Sequence, residues 1–281
     1  MSTPVFERIQ DAKKTLRKSE EKVADYILAQ ASDAVNLPIT ELAERIGVSE
    51  ATIVRMCKKI GFRGFHELKI NLAIETVKPI QAVHEEISEN DEIDVVLGKV
   101  MAAVNRTLQS TVDVLSKAEL QRAVDSLTEA RSIQFYGLGG SGPVALDAAH
   151  KFMKIGKPIT AYTDSHMQAM AASLVSPADV VVVISHSGSS RDIVDAAALA
   201  RERGATTIGI THYARSPIDK VIDIKLSTSS YETLYRMEST SSRIAQLAII
   251  DTLFIGVCLR NPEFAVRNIL ATREAIAPKR F

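Results

Sequence analysis

The sequence predicts an α/β protein in two parts: an all-α N-terminal domain, then a parallel sheet covered by helices on both faces. Three observations predict it. A length of 281 residues fits two domains better than one. Residues 1 to about 77 carry only helical spacing of apolar positions. After about Leu120, short apolar runs alternate with helical stretches, and the valine-rich runs lack polar alternation, as strands buried on both sides do.

Taken in order, Phe6, Ile9 and Leu16 mark one short amphipathic face. Ser19 reads as an N-cap for SEEKVADYILAQ, with Glu20 and Glu21 in the first turn, where the helix dipole favours anions, and Val23, Tyr26 and Ile27 inside. Pro38 and Thr40 open ITELAERIG, and Ser49 opens SEATIVRMCKKIG. A further helix runs from about Phe65 to Val77. Pro79 ends this domain, and the acidic VHEEISENDEID reads as linker. From Ile93, apolar residues recur at helical spacing through Leu108, the pattern of a helix packed on its own domain or of a dimer seam, the first reading leading. The boundaries expected are 1–77, a linker and connecting helix over 78–119, and 120–281. Within the last, SIQFYG, ITAYT, VVVVIS and TTIGIT read as strands, and one long helix runs from about Arg236.

Composition removes several classes. Hydrophobic residues are 46% and charged residues 24%, with zero formal net charge, so a nucleic-acid site must be a local patch. Cys57 and Cys258 lack metal-ligand or CxxC spacing, which points to buried thiols in a reducing cytoplasm and to no metal. The N-terminus has no apolar signal core, and no segment is expected to reach the roughly 20 apolar residues of a membrane span.

The strand DVVVVI empties into SHSGSS. Ligands of open α/β sheets bind outside the carboxyl ends of the strands, and a helix N-terminus offers unpaired N–H groups and partial positive charge, a phosphate site. Ser185, Ser187, Ser189 and Ser190 add hydroxyl donors, and Gly188 permits close approach or positive φ. The loop lacks lysine and GxxxxGK[ST] is absent, so neutral donors suit a sugar phosphate better than a nucleotide. YGLGGSG repeats the design at the first strand, with Gly139, Gly140 and Ser141 at the turn. Its echo of GxGxxG lacks a well-placed acidic partner, which favours one shared phosphate pocket over a dinucleotide.

ITELAERIGVSEATIVRMCKKIGFRGF reads as helix, tight turn, helix: Leu42, Ala43 and Ile46 inside, Gly47 at the turn, Ser49 capping, and Ile53, Val54 and Met56 on the second buried face. Between Glu50 and Ile70, Arg55, Lys58, Lys59, Arg63 and Lys69 outnumber Glu50 and Glu67. A capped turn with one-sided charge favours DNA in the major groove over a solvated basic face. Ser49, Thr52, Arg55, Lys58, Lys59 and Arg63 are the candidate DNA-binding residues.

The G-G-S loop followed by S-x-S-G-x-S resembles the sugar isomerase (SIS) domain over roughly Leu120 to Leu259. With SEEKVADYIL, the helix-turn-helix stretch, KFMKIGKPITAYTDSHMQA and ESTSSRIAQLAIIDTLF, the whole chain resembles the MurR/RpiR family of bacterial transcription regulators. The resemblance implies a flavodoxin-like SIS domain that senses a phosphosugar, operator DNA as partner, no cofactor, and a homo-oligomer, dimer or tetramer, in the cytoplasm and away from membranes. It makes Ser141, Ser185, Ser187 and Ser190 the phosphate ligands, with Gly140 and Gly188 in the same loops. Glu238 either holds sugar hydroxyls from a neighbouring subunit or contacts the start of its own helix. Relatives answer to N-acetylmuramate 6-phosphate, ribose 5-phosphate and others; KFMKIG and DSHMQA lean toward the amino-sugar branch. The rival reading is a phosphosugar isomerase with a helical appendage, with His166, His186 or Glu238 as its base. None of the three has an identifiable partner in sequence, and a regulator without catalysis is the reading preferred.

Overall fold

The structure is a computed structural model describing residues 4–76, 87–88, 90–230 and 241–279. It divides into two compact units, with the boundary between Ala103 and Val104.

The first unit is helical: α1 Val5–Ala12, α2 Lys18–Ala29, α3 Ala31–Asn36, α4 Ile39–Ile46, α5 Glu50–Lys59 and α6 Phe65–Thr76. Its core gathers Ile9, Val23, Ile27, Leu42, Ile53, Met56, Leu68 and Leu72 from all these helices except α3, which contributes Ala34 and Val35. Local chemistry sets the turns. Gly47 takes φ +73 after α4, a conformation that would strain a side chain. Ser49 accepts the Thr52 N–H at 3.2 Å to start α5. At α2 the expectation shifts by two residues: Arg17, not Ser19, is the cap. The Glu20 carboxylate reaches back to the Arg17 N–H at 2.9 Å, which puts Ser19 inside the helix.

A long helix, α7 Ile93–Val114, crosses the unit boundary. Its buried positions are Ala103, Thr107 and Thr111, while Ile93, Leu97 and Met101 form an exposed row. The expected packing of those three against their own domain is not realised. Most of the acidic stretch read as linker lies outside the described residues.

The second unit holds α8 Lys117–Glu129, β1 Ser132–Gly137, α9 Gly142–Phe152, β2 Ile159–Tyr162, α10 Ser165–Ala172, β3 Asp179–Ile184, α11 Arg191–Glu202, β4 Thr206–His212, β5 Ile224–Thr228, α12 Ser241–Arg260 and α13 Pro262–Ile276. The five strands are parallel, in order β2-β1-β3-β4-β5. Every residue of β3 is buried. Val180, Val182 and Ile184 face α8, α9 and α12 through Leu127, Phe152 and Leu253. Val181 and Val183 face α10 and α11 through Ala172, Ile193 and Ala197. Each such valine stabilises the fold by about 1.5–3 kcal/mol, so a strand with no polar face is worth its aggregation risk only between two helical layers.

Two expectations need correction. The long final helix is two helices: Pro262 cannot continue α12, and Asn261 accepts the Phe264 N–H at 3.3 Å to start α13. And α12 does reach membrane-spanning length and apolarity over 20 residues. In this fold it is a core helix, with Ala245, Ile249, Ile250, Leu253 and Val257 buried.

Candidate functional site

β1 connects to β2 over one face of the sheet, and β3 to β4 over the other, so the direction in which strands are added reverses between β1 and β3. That is where a doubly wound sheet opens a crevice at its carboxyl edge. The two glycine–serine loops leave these two strands. Gly137 and Ile184 are register partners at the strand ends, which sets Leu138–Ser141 beside Ser185–Ser190. Each loop feeds a helix N-terminus, α9 and α11, both directed at the same edge.

The first loop closes as a single 3-10 turn, with the Ser141 N–H on the Leu138 carbonyl at 3.0 Å. Gly139 has φ +52. A Cβ on Gly137 would sit 2.4 Å from the Ser141 carbonyl oxygen, so the loop folds back over this glycine. Gly140 is exposed and Ser141 half-buried. Gly137 is the first glycine of the GxGxxG echo in the sequence, and the G-x-G spacing is what this fold-back needs.

The second loop is pinned at both ends. The Ser185 N–H continues the sheet ladder to the Ile210 carbonyl at 3.1 Å, and the Gly188 carbonyl accepts the Ile218 N–H at 3.0 Å. Gly188 has φ +58. Ser187 and Ser190 are exposed, while Ser185 is buried at the loop's root. Ser189, counted in sequence among the donors, is used inside the loop: its hydroxyl donates to the Ser187 carbonyl at 3.0 Å and its N–H to Ser187 Oγ at 3.3 Å. Ser141 and Ser190 are the N-cap residues of their helices, yet neither side chain caps. Their hydroxyls are not spent on the helices they precede.

Around these loops, Asp164 caps α10 through the Met167 N–H at 2.9 Å. This sets Gln168, fully buried, to donate to the Tyr162 carbonyl at 2.8 Å and the Gly137 carbonyl at 3.3 Å, tying the ends of β2 and β1 together. Nothing in the sequence marked Gln168. His166 is exposed at the start of α10. The His186 ring lies 5.5 Å from that of His212, which lies 4.4 Å from Tyr213. Burial, then the neighbouring His186, push His212 down to about 4, so it is neutral at neutral pH. Arg243 lies in the first turn of α12, half-buried. Glu238 lies outside the described residues. Among the described residues no cluster of His, Cys, Asp and Glu could hold a metal.

In the helical unit, α4, the Gly47 turn and α5 form a helix-turn-helix. Arg55, Lys58, Lys59 and Arg63 are exposed. Two expected positions differ, Thr52 and Lys69, and Lys59 is engaged by a carboxylate. Thr52 is buried at 5% exposure, its hydroxyl 2.9 Å from Ser49 Oγ and accepting from Arg55 at 3.0 Å, so it belongs to the cap and not to the outer face. Lys59 donates to the buried Glu20 carboxylate at 2.6 Å. Together with the Arg17 N–H it holds that carboxyl below its usual range, the Arg17 bond being the larger cause. Lys69 is buried, donates to the Leu37 carbonyl at 2.8 Å and lies 5.1 Å above the Phe65 ring; burial pushes its ammonium down to about 7. It cannot serve the basic surface.

Residues 3–79 match the helix-turn-helix domain of the rpiR family, and residues 126–256 match the SIS domain. The chain is similar over its length to an uncharacterized HTH-type transcriptional regulator of Caldanaerobacter subterraneus, 39% identical over 99% of each chain. It is 36% identical to the HTH-type transcriptional regulator HexR of Pseudomonas aeruginosa, over 99% of this chain and 97% of that one. Among solved structures, the Vibrio vulnificus NanR protein complexed with ManNAc-6P aligns with a TM-score of 0.83 and 28% identity, over 98% of this chain and 99% of that one. With a helix-turn-helix of the rpiR type ahead of an SIS domain, the chain belongs to the RpiR family of HTH-type transcriptional regulators.

Proposed function

We propose that this regulator holds a phosphosugar at the carboxyl edge of its sheet, between β1 and β3, and that the bound sugar adjusts DNA binding by the helical unit. The observation that carries the reading is the register of β1 with β3. It sets two glycine–serine loops and two helix N-termini side by side at the switch point. Ser141, Ser187 and Ser190 donate hydroxyls to the phosphate, with Ser185 at the root of the second loop. Gly140 and Gly188 let the backbone approach. The NanR protein with ManNAc-6P supports the ligand class, and an amino-sugar phosphate, with N-acetylmuramate 6-phosphate among the candidates, is the expected effector. Glu238 is kept as a contact to the sugar hydroxyls. Calorimetry with ManNAc-6P, N-acetylmuramate 6-phosphate, glucose 6-phosphate and unphosphorylated N-acetylmannosamine tests it. Binding is expected for at least one phosphorylated sugar and none for the neutral one; equal binding of both would discard the phosphate site.

On the DNA side, α5 enters the major groove. Arg55 reads a base edge, Lys58 and Arg63 contact phosphates, and Ser49 with Thr52 fixes the start of the helix. The protein acts without turnover, and its effector should return unchanged from hours of incubation, followed by NMR. Conversion that disappears in His166→Ala would restore the isomerase. A homo-oligomer is proposed as well, because Met167 and Met170 of α10 and Leu174 just after it are exposed; light scattering at the mass of one chain would remove it.

A further inference from the structure

Glu20 stands in the first turn of α2 at 1% exposure, and its carboxylate meets α5. Oε2 accepts from the Arg17 N–H at 2.9 Å and from the Lys59 ammonium at 2.6 Å, while Oε1 lies 3.9 Å from Arg55 Nε. Another nitrogen of the same guanidinium donates to Thr52 Oγ1 at 3.0 Å, and Thr52 leans on the Ser49 cap. A carboxylate withdrawn from water holds its cations more firmly than an exposed one. Lys59 therefore brings to the α5 surface a charge already neutralised, and Arg55 is held at its base. Lys58, Lys59 and Arg63 are all exposed, and what sets Lys59 apart is its ammonium on the Glu20 carboxylate.

We propose that Glu20 is a positioning residue for DNA recognition: it keeps Lys59 out of the phosphate-contacting set and fixes the root of Arg55. The helix then meets DNA with fewer mobile cations than its sequence carries. This rests on the DNA-binding reading of the helical unit. A cation that neutralises a phosphate strengthens binding to every sequence alike and adds about 0.9 to the slope of log affinity against log salt. Withholding one such cation lowers non-specific affinity and leaves base contacts untouched, so discrimination improves. A mere staple between α2 and α5 predicts something different: lost stability, with no change in salt slope.

The test uses the full-length protein and fluorescence anisotropy on a mixed-sequence duplex of about three helical turns, over a KCl series. Glu20→Gln keeps an acceptor for the Arg17 N–H and cancels the charge that holds Lys59. It should steepen the salt slope by about 0.9 and tighten low-salt binding to mixed sequence. Lys59→Gln, which can still donate to Glu20, should leave the slope at the wild-type value, and the double variant should return to it. An unchanged or shallower slope in a Glu20→Gln protein with an intact thermal melt overturns the proposal. So does a shallower slope in Lys59→Gln alone, which decides the matter if Glu20→Gln does not fold. Wild-type protein that binds no duplex at low salt overturns the DNA reading itself, and is seen before any variant is made.

Discussion

Strand β3 begins and ends in serine-rich polar chemistry, and the two ends are used in opposite ways. At its start, Asp179 accepts from polar groups of three residues. Ser132 and Ser176 donate their hydroxyls to it at 2.8 Å each, the Ser176 N–H donates at 2.9 Å, and Arg131 donates at 2.8 and 3.0 Å. At its other end, Ser187 and Ser190 are exposed and Ser190 does not cap α11. Hydroxyl content alone therefore says little. A serine beside a buried carboxylate closes a structural network; a serine at a helix N-terminus that it does not cap has its hydroxyl left for something else.

The largest expected effect breaks the structural end. Asp179→Ala strands the groups that converge on a buried carboxylate, its side chain 3% exposed. It should destabilise the protein by roughly 3 kcal/mol, read by calorimetric melting, with phosphosugar affinity of the folded fraction unchanged. The same network sets an acid limit. Burial pushes the Asp179 carboxyl up, but the bonds from Ser132, Ser176 and Arg131 outweigh it and leave the group below its usual range. A lowered folded value means the contribution is complete above the ordinary carboxylate range and is lost as pH falls through the folded value. Asp179→Asn should remove that part of the acid dependence.

The functional end should respond the other way round. Ser185→Ala combined with Ser187→Ala removes bonds to a charged ligand of about 1.5–3 kcal/mol each, so phosphosugar affinity should fall at least tenfold by calorimetry while the melt barely moves. Unchanged affinity would sink the phosphate assignment. Gly188→Ala touches both properties at once. A side chain at φ +58 costs roughly 1–2 kcal/mol, visible as a modest loss of stability and a weaker site. The smallest effect concerns His212. Burial pushes its imidazole down to about 4, so effector affinity between pH 5 and 8 should follow the second ionisation of the phosphate, near 6, and not this ring. NMR of the ring through an acid titration checks it, and an inflection close to 6.5 would refute the buried, neutral assignment.

The parts readable from sequence are those set by one residue and its near neighbours. Gly47 and Gly188 at positive φ, Ser49 as a cap, and the unalternating valines of β3 all depend on local rules. The N-terminal edge of α2 moved because a side chain three residues on, Glu20, outcompeted Ser19 for the cap. The break at Asn261–Pro262 is also local, set by a capping side chain and a proline at the start of α13. Lys69, Thr52 and Gln168 were not legible. Whether a polar side chain on a helix faces water or a neighbouring carbonyl depends on how the helices cross, which periodicity does not encode. Ile93, Leu97 and Met101 show the reverse: a regular apolar row predicts a covered face, and here the row is exposed.

The switch point also has a kinetic meaning. β2 and β1 make one half of the sheet and β3, β4 and β5 the other, and among the described strands the two halves pair along the β1–β3 ladder. An anion gripped by both loops is a clasp across that seam. Partial opening of the sheet along the ladder would have to release it, so the free energy of binding is added to the cost of opening. Amides of Gln134 and Val182, which strand alternation directs across the seam from its two sides, would then exchange with deuterium more slowly and to a matching degree when effector is present.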